Sequence, residues 1–150
     1  MGKIIRLALI LTIFCVISAG ALAFVYLFTE PKIKLNQKLS YDSSVKEVLP
    51  QPGRAIPVSA RGYSGSINMM VGVDKAGKVI GVKILKQTET PGLGANVVKP
   101  EFLNQFIGKS INDPIEPKKD IDAITGATIS SRAVSKGVKD ALEKFKSGNN

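Results

Sequence analysis

Hydrophobic and polar positions divide the chain into regions with different periodicities. The first region, Leu7 to Phe28, is 22 residues long and contains no charged side chain. At about 1.5 Å per residue, a helix of this length crosses a hydrocarbon core of about 30 Å. Lys3 and Arg6 precede the run and Glu30 follows it. The positive-inside rule then predicts a single-pass anchor within residues 1–28, with the N-terminus in the cytoplasm and the rest of the chain outside.

A cleaved signal peptide is the alternative interpretation of this region. Ser18 to Ala21 supplies the small residues that precede a signal-peptide cleavage site. The apolar run continues beyond them as far as Phe28, and the apolar core of a signal peptide is usually shorter. We therefore favour a retained membrane anchor.

Residues 29–57 are polar and interrupted by Pro31, Pro50, Pro52 and Pro57. Apolar residues within Tyr41 to Leu49 follow a short helical pattern. We predict a membrane-proximal linker with one short helix, followed by a single domain over residues 58–150.

A β-hairpin is predicted after Tyr63, because apolar residues alternate there with polar or small ones. The apolar positions are Ile67, Met69, Val71 and Val73, and then Ile80, Val82 and Ile84. Asp74 to Gly77 supplies turn residues between the two strands. The Pro and Gly residues of Lys86 to Gly94 then predict a rigid loop.

Helical periodicity returns towards the C-terminus. Apolar residues recur every three or four positions from Ile129 onwards, which predicts an amphipathic helix ending near Lys146. A shorter helix is expected over Pro100 to Phe106, and a short strand over Ile121 to Ile124. The pattern by itself supports one hairpin and two or three helices.

Composition restricts the chemistry that this chain can perform. The chain has no His and no Trp, and its only cysteine, Cys15, lies in the apolar run. These facts exclude Cys/His metal sites, Ser-His-Asp triads and Cys-His dyads, so any redox chemistry requires a cofactor. The formal net charge is +9, but the lysines are scattered and aromatic residues are few. We expect no nucleic-acid partner and attribute the charge to solubility near anionic lipid or to an acidic partner.

The stretch DAITGATISS, Asp122 to Ser131, stands directly before the predicted C-terminal helix. One interpretation is a helix start in which Thr128 is the N-cap and Gly126 permits a bend. In the other, the unpaired N–H groups and the helix dipole attract a phosphate, and a threonine there is esterified to it. The residues alone leave both interpretations open.

The same stretch resembles the attachment motif of the FMN-binding domain family. In that family a flavin transferase links FMN, through its phosphate, to the last Thr or Ser of D-x-x-[ST]-G-A-[TS], which is Thr128 here. The block ETPGLG, Glu89 to Gly94, resembles the family loop that lies against the isoalloxazine ring. The predicted hairpin precedes this loop and the predicted helix follows the motif, and the resemblance extends from about Arg61 to Ala141.

The resemblance implies an α+β fold, in which a single N-terminal transmembrane helix precedes one small FMN-binding domain with an antiparallel sheet and a C-terminal amphipathic helix. It implies covalent FMN on Thr128, with Leu93 packing on the ring face. It implies no metal site and no catalytic residue of the chain's own. The candidate cofactor-binding residues are Glu89, Thr90, Gly92, Leu93, Gly94, Asp122, Thr125, Gly126, Ala127, Thr128 and Ser130.

Several of these roles have structural alternatives. Asp122 either positions the motif for the transferase, together with a metal that accompanies the phosphate, or is a turn acid. Ser130 and Ser131 either bind the phosphate or are first-turn helix residues. Tyr63 either contacts the ring or packs in the core. The Glu89 to Gly94 loop is either a flavin wall or only a rigid exit from the hairpin.

Together with its single span, the chain is similar to the family of Rnf G subunits. These are flavoprotein subunits of a membrane complex that couples electron flow between ferredoxin and NAD to Na⁺ or H⁺ transport. The similarity implies an electron relay through FMN, other membrane subunits as partners and a flavin transferase for maturation. Two departures are Gln87, where family members often carry His, and a brief region before Gly62.

Three other functions remain as alternatives. The chain resembles the C subunit of the Na⁺-translocating NADH:quinone oxidoreductase, although it is short for that subunit. A stand-alone, membrane-tethered flavoprotein would use the same motifs. A flavin-free binding module would use only the basic surface.

Overall fold

The computed structural model describes residues 2–50 and 52–148. The chain separates into two compact units, Met1–Ser40 and Tyr41–Asn150, and each is described by itself. The first helix, α1, is Gly2–Val48, and it is long and apolar enough to cross a membrane. Its buried described residues, Ser44 and Val48, both belong to the second unit. The predicted apolar N-terminal helix is confirmed.

The structure of residues 29–57 differs from the predicted linker. Residues 29–48 continue α1, and the short helix predicted over Tyr41 to Leu49 is the C-terminal end of α1. Pro31 lies inside this helix, where a proline costs about 3 kcal/mol through a lost hydrogen bond and a clash. The residues after it include Lys, Leu and Gln, which are compatible with continued helix.

The second unit contains a three-stranded antiparallel sheet with the strand order β1-β2-β3. The strands are β1 (Gly53–Arg61), β2 (Ser66–Asp74) and β3 (Val79–Lys86). The predicted hairpin is therefore confirmed. β1 was not predicted, and the domain boundary expected at residue 58 falls inside it. Pro57 is tolerated there because β1 is an edge strand, which needs hydrogen-bond donors on one side only.

The third helix, α3 (Thr128–Ser147), packs against one face of the sheet. Met69 lies so close to Gly137 of α3 that a Cβ atom on this glycine would lie 2.7 Å from the Met69 Cε. The core on this face is completed by apolar residues of β1, β3 and the segments before α3. The predicted amphipathic C-terminal helix is confirmed.

The end of α1 packs against the opposite face of the same sheet. A Cβ atom on Gly72 would lie 2.1 Å from the Val48 carbonyl oxygen, and one on Gly81 would lie 2.8 Å from it. Glu47 forms an ion pair with Lys83 of β3 at this contact. Two glycines facing one helix end therefore allow the backbone of α1 to approach the sheet closely.

Between β3 and α3 the chain forms short turns rather than long elements. A 3-10 turn, Gly94–Val98, leads to α2 (Pro100–Leu103), which continues as a 3-10 turn, Asn104–Phe106. The strand predicted over Ile121 to Ile124 is wrong, since only Ile121 forms an isolated bridge. The next backbone N–H, that of Asp122, donates to the Gln105 side chain at 2.7 Å. It is therefore not available for a hydrogen bond to a neighbouring strand.

Candidate functional site

A groove of about 440 Å³ lies between the loop after β3 and the start of α3. The two sequence blocks form its walls, although residues 95–121 separate them in the chain. The lining residues are Tyr63, Glu89, Thr90, Leu93, Gly94, Gly126, Ala127, Thr128, Ile129 and Ser130.

Thr128 is the first residue of α3, and Ala127 occupies the cap position. The interpretation of Thr128 as the N-cap is therefore wrong, because no side chain makes a capping hydrogen bond to this helix. The first N–H groups of a helix have no partner within the helix and suit an anion. Within the described part of the chain, no hydrogen bond from the Thr128 hydroxyl is found, and this half-buried residue lines the groove.

Gly126 makes the bend that brings Thr128 to the groove. Its φ is +75°, in the left-handed region that favours glycine. A Cβ atom here would also lie 3.1 Å from the Leu93 Cδ2 of the opposite wall. Both the bend and the close approach of the two walls therefore depend on residue 126 being a glycine, which has no side chain.

The carboxylate of Glu89 is buried at the base of the groove, with 4% of the residue exposed. It accepts hydrogen bonds from the backbone N–H groups of Tyr63, Ser64 and Gly65 at 3.1, 3.0 and 3.3 Å. It also accepts one from the Ser130 hydroxyl of α3. The sequence predicts Glu89 in the wall of the groove but does not indicate these hydrogen-bond partners.

The pKa of Glu89 reflects two opposing effects. Burial by itself raises the pKa, because it disfavours the charged form. The hydrogen bonds from Ser130 and from the backbone of Tyr63, Ser64 and Gly65 stabilise the carboxylate and outweigh burial. The pKa therefore lies below its ordinary value of 4.5, and Glu89 is charged at neutral pH.

Glycines on both sides make room for this carboxylate. A Cβ atom on Gly62 would lie 2.6 Å from the Glu89 Oε1. One on Gly94 would lie 2.6 Å from the Ser130 Oγ and 2.9 Å from the Glu89 Oε2. The turn from Gly62 to Gly65 and the loop from Glu89 to Gly94 are thus packed around one charged group, the Glu89 carboxylate.

Both serines after Thr128 use their hydroxyls within the protein. Ser130 donates to Glu89. Ser131 is fully buried, accepts from the Ile124 N–H at 3.1 Å and donates to the Ala127 carbonyl at 3.0 Å. Ser131 therefore holds the loop before α3 in place. It is a residue of the first helical turn, as the second interpretation of this serine predicts.

Tyr63 is 71% exposed at the edge of the groove, so the interpretation of this residue as a core tyrosine is wrong. Leu93 and Ile129 are also about half exposed beside the groove. Together the three side chains form an apolar edge next to the open N-terminus of α3.

The groove does not include all of the predicted cofactor-binding residues. Asp122 and Thr125 line a separate depression of about 320 Å³, beside Gln105. Gly92 is a turn residue with φ of +77°, and its carbonyl accepts from the Asn96 side chain at 2.8 Å. These three residues support the loops that form the groove and do not line it.

Gln87 has a local structural role. Its side-chain oxygen accepts a hydrogen bond from the Glu89 backbone N–H at 2.6 Å. The residue at this position therefore fixes the backbone that carries the buried carboxylate.

The domain and its groove are those of a flavin-binding class of protein. Residues 62–143 match the family model described as the FMN-binding domain, and residues 1–48 match the one described as the RnfG N-terminal region. The chain belongs to the FMN-binding domain family and, within it, to the G subunits of ion-translocating oxidoreductase complexes.

Two curated relatives carry that description. The G subunit of the proton-translocating ferredoxin:NAD(+) oxidoreductase complex of Clostridium ljungdahlii is 36% identical, over 89% of this chain and 87% of the relative. The G subunit of the ion-translocating oxidoreductase complex of Pseudomonas aeruginosa is 30% identical, over 95% of this chain and 89% of the relative. The similarity thus includes the N-terminal region as well as the domain.

A solved structure shares the fold of the domain. It is the C subunit of the Na(+)-translocating NADH-quinone reductase from Parabacteroides distasonis, with a TM-score of 0.54 and 29% identity. The match covers 64% of this chain and 56% of that chain. This chain therefore corresponds to little more than half of that protein.

Proposed function

We propose that this protein is the FMN-carrying G subunit of an Rnf-type, ion-translocating electron-transport complex. The observation that carries the proposal is the position of Thr128, which lines the groove at the uncapped N-terminus of α3. A phosphate placed there meets free N–H donors and the positive end of the helix dipole. The family match and the two curated relatives support the same assignment.

The groove fits the two chemically different halves of FMN. Its volume of about 440 Å³ lies in the range of about 300–1,000 Å³ usual for small-molecule sites. The start of α3 offers N–H groups and a hydroxyl for the phosphate. The exposed side chains of Tyr63, Leu93 and Ile129 offer apolar surface to a planar ring. Bound FMN supplies the electron-accepting and electron-donating chemistry that the side chains of this chain lack.

We further propose that the FMN is covalently attached. In this step a flavin transferase catalyses attack of the Thr128 Oγ1 on the FMN phosphorus of an FMN-containing dinucleotide such as FAD. The Oγ1–P bond forms, the P–O bond to the nucleoside monophosphate breaks, and that nucleotide leaves with the hydroxyl proton, so the protein gains one FMN less one water. Asp122 and Thr125 lie outside the groove on the same loop, in positions suited to recognition by the transferase. A covalent link prevents loss of the cofactor outside the cytoplasm.

The proposed location follows from the charges around the apolar helix. Lys3 and Arg6 keep the N-terminus in the cytoplasm, and the FMN domain then lies on the other side of the membrane. The other membrane subunits of the complex are the proposed electron-transfer partners. The C subunit of a Na⁺-translocating NADH-quinone reductase is the second candidate, and the fold match to such a protein favours it.

The first experiment measures covalent flavin on the full-length chain. The chain is co-expressed with a flavin transferase, denatured, and examined by in-gel flavin fluorescence and intact mass. We expect a fluorescent wild type with the mass of one added FMN less one water, and a dark Thr128→Ala variant.

Thr90→Ala is the matched control, because Thr90 also lines the groove and forms a hydroxyl contact with Ser64 at 3.4 Å. This variant should keep the flavin. A wild type without added mass, beside an active transferase, would refute covalent attachment. Purification of the wild type in mild detergent then tests the complex, since a G subunit should bring several polytopic subunits with it.

A further inference from the structure

A second groove lies on a different part of α3, away from the flavin groove. Its volume is about 410 Å³. One wall consists of Arg132, Ser135, Lys136 and Lys139 of α3, and the other is the segment 115–117. The two grooves share no lining residue, so a ligand in this one does not compete with FMN.

Ser135 is the unusual residue of this groove. It is 2% exposed, and its Oγ has no hydrogen-bond partner among the described residues. The other buried hydroxyls of α3, those of Ser130 and Ser131, are both hydrogen-bonded. A buried hydroxyl without a partner has lost its hydrogen bonds to water without compensation. A ligand oxygen that accepts a hydrogen bond from this hydroxyl would remove that cost, which favours binding.

The charged residues around Ser135 are mainly positive. Arg132, Lys136 and Lys139 are three or four positions apart and therefore lie on one side of the helix. Among the described residues, none of the three has a carboxylate within ion-pair distance. Like charges at this spacing repel one another, and an anion placed between them removes the repulsion.

The acid at the groove offsets these cations only in part, because Glu116 is paired with Lys119 and its further attraction is to Lys139. Glu116 borders the groove, but its carboxylate forms an ion pair with Lys119 at 2.6 Å. Lys139 donates one hydrogen bond to the Pro114 carbonyl at 3.1 Å and keeps its other N–H donors. The groove therefore has an excess of positive charge and of donors.

The wall opposite α3 is held in a fixed shape. Ile115 is buried and has a φ of +47°, which is rare for a β-branched residue. The Asp120 carboxylate accepts from the backbone N–H groups of Ile115 and Glu116 at 3.1 and 2.8 Å, and from Lys109 at 2.9 Å. The backbone of this wall is thus held in place before a ligand binds, which lowers the cost of ordering the site.

We propose that this groove binds a phosphate-class oxyanion, either inorganic phosphate or the phosphate of a lipid headgroup. The Arg132 guanidinium donates paired N–H hydrogen bonds to the phosphate oxygens, and the ammonium groups of Lys136 and Lys139 add positive charge and donors. The Ser135 hydroxyl donates a further hydrogen bond at the base of the groove. The site is separate from the flavin site and stays valid if Thr128 carries no flavin.

The test uses the full-length chain, produced without a flavin transferase, in maltoside detergent micelles, which contain no phosphate. Inorganic phosphate is titrated at constant ionic strength, and the amide resonances of Ser135 and Arg132 are followed. We expect saturable shifts at both residues. Ser135→Ala should weaken binding about tenfold, the effect of losing one hydrogen bond to a charged group.

A matched control separates a built site from general attraction between charges. Arg132→Gln/Lys136→Gln and Lys144→Gln/Lys146→Gln remove the same charge from the same helix, but Lys144 and Lys146 do not line the groove. The first pair should abolish saturable binding and the second should leave it unchanged. Equal weakening by both pairs, or unchanged binding by Ser135→Ala, would overturn the proposal.

A second arm identifies the source of the phosphate. Phosphatidylglycerol is then added to the micelles, and no free phosphate is added. Shifts of the same two resonances would assign the site to a lipid headgroup, and their absence beside a response to inorganic phosphate would assign it to a soluble ligand. Absence of a response in both arms would refute the site.

Discussion

Ser130, at the start of α3, donates a hydrogen bond to the buried carboxylate of Glu89, 41 residues earlier in the chain. This bond joins the two walls of the flavin groove at their base. The same carboxylate holds the backbone of Tyr63, Ser64 and Gly65, so one charged group orders three segments. The geometry of the groove thus depends on a residue that need not touch the flavin phosphate.

The first prediction concerns the charge of Glu89. Glu89→Gln keeps the shape of the side chain but loses the charge, and its amide cannot accept every hydrogen bond that the two oxygens accept. We expect the free energy of unfolding to fall by about 1–3 kcal/mol, the cost of leaving buried donors poorly paired. Urea unfolding of the full-length chain in detergent measures it. Glu143→Gln, at an exposed position of α3, is the control and should change stability little.

The second prediction concerns pH. The pKa of Glu89 is lower in the folded protein than its ordinary value of 4.5, so the carboxylate stabilises the fold above that pH. This contribution is lost as the pH falls below 4.5 and through the folded pKa. The stability difference between wild type and Glu89→Gln should therefore shrink as the pH is lowered through this range. A difference that stays constant with pH would show that the charge of Glu89 is not the stabilising feature.

The third prediction concerns the bend before α3. An alanine in the left-handed region costs about 1–2 kcal/mol, and Gly126 and Gly77 have φ of +75° and +78°. Gly126→Ala and Gly77→Ala should therefore destabilise the chain by similar amounts. Only Gly126→Ala also places a Cβ atom 3.1 Å from Leu93, whereas nothing lies within 4 Å at Gly77. The fraction of chain carrying covalent flavin should fall for Gly126→Ala and stay at the wild-type level for Gly77→Ala.

Elements with regular periodicity were predicted from the sequence, and β1 was missed for a physical reason. α3 buries one face, so its apolar residues recur every three to four positions. In the hairpin the large apolar residues that face α3 recur with a period of two, although the opposite face of β2 is also buried, against the end of α1. β1 also alternates, with Ile56, Val58 and Ala60 buried. Pro57, at an exposed position of that alternation, argues against a strand because it lacks an N–H donor, and it is acceptable only because β1 is an edge strand, which the sequence does not reveal.

The sequence indicated which residues belong to the candidate site, but it did not indicate which of them contact one another. The motif pointed to Thr128, and the structure places it beside Leu93 and Gly94 of the other block. The burial of Glu89 could not be predicted, because its partners are backbone N–H groups of a turn that shows no donor pattern in the sequence. The displacement of Asp122 from the groove follows from its bonds to Gln105, a contact that spacing along the chain does not indicate.

The last prediction separates the chemistry of Thr128 from its packing. Thr128→Val replaces the hydroxyl by a methyl group of similar size, and Thr128→Ser keeps the hydroxyl and removes the methyl group. No hydrogen bond from the Thr128 hydroxyl is found among the described residues. The free energy of unfolding of both variants should therefore lie within about 0.5 kcal/mol of the wild-type value. Covalent flavin should be absent from Thr128→Val and retained in Thr128→Ser, as measured by intact mass. Loss of flavin from both variants, with folding intact, would assign Thr128 to recognition by the transferase and would require another residue to carry the phosphoester.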